Sequence, residues 1–244
     1  MLRAGRGKRV RAEDHPAQRH FDQLFWGGWR PGAGRKKGRR GRRVPHRARE
    51  SVTGRPVHVT WRLLDGIPSL RSAAEFAVIT RACEDVQAAR EGFRVVHFTV
   101  MGDHVHALVE GASREELSSA LASLTICWAK RLNRLWRRRG LVFPDRRHEH
   151  VLRNPTEVYH ALRYVLSNAR HHGIALRPGA FDPFSSASTF DRWRLSRSRP
   201  EVPRRPSPPH GLRYPVQPPG SWLLGVGWTR VSSVLYLDDV PGPR

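Results

Sequence analysis

The sequence predicts an α+β domain: a ferredoxin-like (RRM-like) βαββαβ sandwich with one additional C-terminal helix, flanked by a disordered basic arm and a Pro-rich tail. Three observations carry this. Stretches of period-two and of helical hydrophobic spacing alternate in the order β-α-β-β-α-β-α between residues 56 and 173. A two-residue turn signal, Gly102-Asp103, joins the second and third strands. Outside that stretch the periodicity vanishes, and Arg, Gly, Pro and Ser take over.

The elements follow in order. Val57, Val59, Trp61 and Leu63 alternate with His58, Thr60 and Arg62, which reads as a strand with one buried face. Phe76, Ile79, Cys83 and Val86 recur at three and four residues, an amphipathic helix ending near Gly92. Residues 93–101 and 104–110 are the two hairpin strands. Ser113 with Glu116 forms a capping box for a long helix, whose apolar stripe is Leu117, Leu121, Leu124, Trp128, Leu132 and Leu135. A strand covers roughly 147–152. Asn154-Pro155 then opens a last helix that stops at Gly173, with Val158, Ala161, Leu162, Val165 and Ala169 as its core stripe. Two helices on one sheet face leave the other for a ligand or the last helix.

Three parts result: a basic arm over 1–55, a domain over 56–173 and a Pro/Arg-rich tail over 174–244. In the tail, 199–220 reads as linker, and the apolar segment 221–228 is long enough to fold back on the domain. Cys83 and Cys127 lie on separate helices and suit buried thiols in a reducing compartment. The chain carries 44 Lys and Arg against 21 Asp and Glu, a formal charge of +23. Such an excess repels itself unless a polyanion supplies the counter-charge, and nucleic acid is the commonest. In the arm, Arg35, Lys36, Lys37, Arg39, Arg40, Arg42 and Arg43 stand among glycines that let the chain follow a phosphate track. Arg131, Arg134, Arg137, Arg138 and Arg139 extend this along the far end of the long helix. No apolar run of about 18 residues exists, and the N-terminus lacks a secretory apolar region, so no membrane partner is expected and the chain reads as cytoplasmic.

The chemistry gathers at His104-Val105-His106. Residues two apart on a strand face the same way, so this spacing aims two imidazoles at one point, and imidazole is a common metal ligand. With Gly102-Asp103 as the turn, Met101 opposes His104, Thr99 opposes His106 and His97 opposes Leu108. Val105, Ala107 and Val109 form the other, apolar face. On the last helix Tyr164 and Asn168 are four apart and share a flank beside the core stripe. Tyr159 is the rival phenol, but five residues rotate it by roughly 140° to another flank. His148 and His150 repeat the His-x-His spacing without a carboxylate or cysteine cluster and read as a basic edge strand. His171 and His172 read as helix caps or phosphate contacts.

His104-Val105-His106, followed some sixty residues later by Arg163-Tyr164-Val165-Leu166-Ser167-Asn168-Ala169-Arg170, resembles the single-tyrosine HUH transposases, among them insertion-sequence-200-like and REP-associated tyrosine transposases. The resemblance spans 56–173, with Asp182-Pro183-Phe184-Ser185-Ser186 also similar to one basic bacterial subgroup. It implies that His104, His106 and Asn168 bind Mg²⁺ or Mn²⁺, and that Tyr164 on the last helix is the nucleophile. Many members have Gln at the third ligand position. The activity implied is metal-dependent cleavage and rejoining of single-stranded DNA, at a hairpin, through a 5′-phosphotyrosine. The alternatives are a nucleic-acid-binding protein of the same fold whose chemistry has lapsed, and a zinc-binding structural protein, which the lack of a close Cys pair disfavours. Monomer and homodimer both stay open.

Overall fold

The computed structural model describes residues 50–144, 146–198, 201 and 213–239. The arm's basic cluster, Arg35 to Arg43, lies outside the described residues. The domain is α+β, built on a four-stranded antiparallel sheet. Its strands are β1 (Val57–Arg62), β2 (Phe93–Val100), β3 (His104–Gly111) and β4 (His148–Val151), in the spatial order β2-β3-β1-β4. Helix α1 (Ala73–Ala88) links β1 to β2, and α2 (Arg114–Leu135) links β3 to β4.

Caps set the helix starts. Ser72 accepts from the Glu75 amide, Ser113 from that of Glu116, and Asn154 from that of Glu157, with Pro155 in the first turn where no N–H is needed. Both α1 and α2 pack on one sheet face. There Val57, Val59, Trp61, Phe98, Val105, Ala107 and Val109 meet Phe76, Ile79, Leu117, Leu121 and Trp128. The rings of Trp61 and Trp128 meet edge-on at 4.8 Å, and their indole N–H groups donate to Thr125 Oγ1 and to the Ile79 carbonyl. Leu135, read as part of the α2 stripe, is instead exposed, because it lies in the last turn, beyond the sheet contact.

The second sheet face has its own core. Helix α3 (Pro155–Leu166) lays Val158, Leu162 and Val165 against Val96 and Leu108. A bulge between Val95 and His97 lets Val95 and Phe98 face the helical core while Val96 faces α3. The last helix does not run unbroken to Gly173. It stops at Ser167, and a separate turn, α4 (Asn168–His171), follows before Gly173 (φ 70°) ends it.

Much of the segment beyond 174, read as a tail, is part of this second core. Phe181, Phe190, Trp193, Leu224, Trp228, Leu235 and Leu237 are buried there, with short helix α5 (Trp222–Gly225) and the paired strands β5 (Trp193–Arg194) and β6 (Leu235–Tyr236). Two buried acids pin it. Asp182 takes both guanidinium nitrogens of Arg71 at 2.7 and 3.0 Å, and Glu110 accepts from the amide of Ser221 at 3.0 Å. Among the described residues no helix is long and apolar enough to cross a membrane.

Candidate active site

The hairpin register places the site. Thr99 pairs with His106 and His97 with Leu108, while the Met101 amide donates to the His104 carbonyl across the Gly102-Asp103 turn. Strand β1 runs on the other side of β3, pairing His58 with Leu108, Thr60 with His106 and Arg62 with His104. Directly paired residues share a face. His58, Thr60, His104 and His106 therefore stand together on the face away from α1 and α2.

His104 and His106 lie 4.8 Å apart between ring centroids, and the Tyr164 ring is edge-on to His106 at 5.1 Å. Tyr164 comes from the last turn of α3, at the boundary between the second core and the histidines. Its ring also meets His58 at 5.9 Å and His171 at 5.4 Å, and His172 lies 5.2 Å from His104. Tyr159 sits elsewhere, beside His160 on the flank of the second core.

Both sheet imidazoles are held through Nδ1. His104 Nδ1 lies 2.7 Å from Asp103 Oδ1. His106 Nδ1 lies 2.9 Å from Thr60 Oγ1 and 3.1 Å from His58 Nε2. A lone pair on Nε2 requires the proton on Nδ1, where these neighbours accept it, the arrangement that orients a ligating histidine. Burial, reinforced by the positive charge of His58, His104, His172 and His171, pushes His106 down to about 2, so it is neutral and ligand-ready at physiological pH. Burial first, then the charges of His104 and His171, lower His172, partly opposed by Asp103.

Asn168 adds the third candidate donor. It is 1% exposed, yet neither its amide oxygen nor its nitrogen has a hydrogen-bond partner among the described residues. An orphaned buried amide costs about 1–3 kcal/mol and is tolerated where a ligand satisfies it. Imidazole nitrogens and an amide oxygen are donor types that a divalent cation accepts. Among the described residues no three His, Cys, Asp or Glu side chains form an ion site.

The sequence candidates on α2 do not join this centre. Helix α2 lies against the opposite sheet face. Arg131 pairs with Asp85, and Arg138 donates to Asn133 Oδ1 and the Leu141 carbonyl, whereas Arg134 and Arg137 are exposed. The sequence reading missed His58, Thr60 and the approach of His171. For His171 a signal existed: it lies seven residues after Tyr164, two helical turns, and so on the same flank. His58 and Thr60 gave none, because their place depends on β1 pairing with β3.

No protein-family model matches the sequence, and no curated protein sequence matches it. Among solved structures, the chain is similar to a REP-associated tyrosine transposase bound to a REP hairpin, at 20% identity and a TM-score of 0.48, over 59% of this chain and 82% of that one. It is also similar to a bacterial tRNA(His) guanylyltransferase-like protein in complex with GTP, at 12% identity and a TM-score of 0.37, over 50% of this chain and 66% of that one.

Proposed function

We propose that this chain is a metal-dependent single-strand DNA transesterase, transposase-like in its chemistry, with Tyr164 as nucleophile and His104, His106 and Asn168 holding Mg²⁺ or Mn²⁺. The observation that carries the reading is the meeting of the Tyr164 ring with the Nδ1-anchored His104–His106 pair. The strand order, with α1 and α2 on one face, supports reading the framework as a ferredoxin-like sandwich that leaves its second face for chemistry.

The phenolic oxygen of Tyr164 attacks a phosphodiester phosphorus, and the bond from phosphorus to the 3′ oxygen breaks. The products are a 5′-phosphotyrosine and a free 3′-OH, so one ester replaces another and the strand is rejoined by the reverse step. His171, whose ring meets the phenol, is the imidazole we assign to receive its proton. Asp103 and Thr60 keep His104 and His106 in the tautomer a ligand needs. A bound divalent cation would supply Lewis-acid polarisation of the phosphate. The chain's charge of +23 supplies attraction for a polyanion.

The test is a denaturing gel. The protein is incubated with Mn²⁺ and labelled single-stranded hairpins from the DNA flanking its own gene, beside a Tyr164→Phe variant. A covalent protein–DNA band that needs both metal and Tyr164 is expected. DNA binding with no adduct across substrates and metals overturns the reading and leaves a binding module.

A further inference from the structure

The two edges of the sheet are treated differently. The outer edge of β2 is covered: the Phe184 carbonyl accepts from the Val100 amide, Ser186 Oγ accepts from the Phe98 amide, and the Gln217 amide donates to the Val95 carbonyl. The outer edge of β4 has no strand partner among the described residues. Bare edges invite unwanted pairing, and charge is the usual guard. On β4 the histidines do more than guard, because of where they point.

β4 pairs with β1 so that His148 lies opposite Thr60 and His150 opposite His58. Paired residues share a face, so His148 and His150 stand on the face that carries His106 and Tyr164. The row from His148 through Thr60 to His106 crosses two strand spacings, ~10 Å. Both edge histidines are exposed. On its α2 side the strand borders a cleft of about 350 Å³ lined by Arg114, Arg146, Arg147 and Arg153 with Glu50 and Glu149. Glu149 is already engaged by Arg114 at 2.6 Å and Arg147 at 2.9 Å, and Glu50 by Arg153 at 2.6 Å. Arg146 is exposed at one end of the strand, and Arg153, exposed while paired with Glu50, at the other.

We infer that the β4 edge is the track along which a single DNA strand runs into the centre, with Arg146 and Arg153 on its phosphates and His148 and His150 bridging the track to His106. The inference deepens the proposed function and rests on it for the choice of single-stranded DNA. A phosphodiester at Tyr164 brings its neighbouring phosphates within reach of this edge, where exposed Arg146 and Arg153 give the counter-charge.

The test is fluorescence anisotropy of a labelled oligo(dT) with the full chain over a salt series, comparing wild type with R146Q/R153Q. Each lost phosphate contact flattens the log–log salt slope by about 0.7, so the double variant should be shallower by about 1.4 and bind several-fold more weakly. Hydrogen exchange should show oligo(dT) protecting the amides of 148–151, a readout independent of how the variant folds. Unchanged affinity and slope, no protection at β4, or equal loss for a blunt duplex would overturn the track. Adduct formation by wild-type protein separates the two proposals. An adduct with unchanged R146Q/R153Q binding sinks the track alone. No adduct, with binding lost in the variant, sinks the reaction and keeps the track.

Discussion

The two faces of the central sheet draw on the same strands and end in opposite states. Towards α1 and α2, alternate residues of β1 and β3 are Val57, Val59, Trp61, Val105, Ala107 and Val109, all buried, and the Trp61 and Trp128 indoles both find acceptors. One residue out of phase, the same strands present His58, Thr60, His104 and His106. The first face is optimised for stability. The second carries a cluster of imidazoles, among them His106, which burial keeps neutral, and the following turn holds an Asn168 amide with no partner among the described residues. Substitutions on the two faces should therefore move stability and ligand binding in different directions.

The largest effect is expected on the helical face. Phe76→Ala removes a fully buried ring that packs on Phe98 and Phe184 and should cost about 3–5 kcal/mol in denaturant unfolding. Next is acid. Burial, partly opposed by Asp191, depresses buried His97 to about 4. The unfolded chain takes this proton first, near pH 6.5. The stability that His97 contributes is therefore complete above about pH 6.5 and falls as pH drops towards 4, by up to about 3 kcal/mol. His97→Phe should flatten that part of the stability–pH curve. A flat wild-type curve would contradict it.

Thr60→Val leaves the His106 ring in place but removes a hydroxyl partner of Nδ1. It should weaken Mn²⁺ binding, read by calorimetry, about 10–100-fold, with little change in melting temperature. The last effect on stability has the opposite sign. Asn168→Leu replaces an unsatisfied buried amide with an apolar group of similar size and should stabilise the apoprotein by about 1 kcal/mol while removing Mn²⁺ binding. Loss of stability there would mean that Asn168 is structural and that the faces differ less than proposed.

The faces were not equally legible in the sequence. Period-two spacing placed His104 and His106 together, and the two-residue turn fixed Thr99 opposite His106, because both are local properties of a hairpin. Helical period likewise gave the α3 core stripe, Val158 to Val165. His58 and Thr60 reach the site through pairing across some forty-five residues, which no local pattern encodes. The break at Ser167 has no Pro or Gly to announce it. The cover of the second face was hidden as well: Phe181, Trp193, Leu224 and Trp228 sit on elements of two to four residues and on loops, pinned by buried acids such as Asp182 and Glu110, so their burial leaves no period to read.

The central claim is that the second face exists to present one phenol to a phosphate. The direct measurement is peptide mapping by tandem mass spectrometry of protein trapped on single-stranded hairpin DNA with Mn²⁺, asking which residue carries the nucleotide. A 5′-phosphonucleotide on Tyr164, absent from the Tyr164→Phe protein, is the predicted result. A nucleotide on Tyr159, or on no tyrosine while the DNA stays bound, would contradict the account.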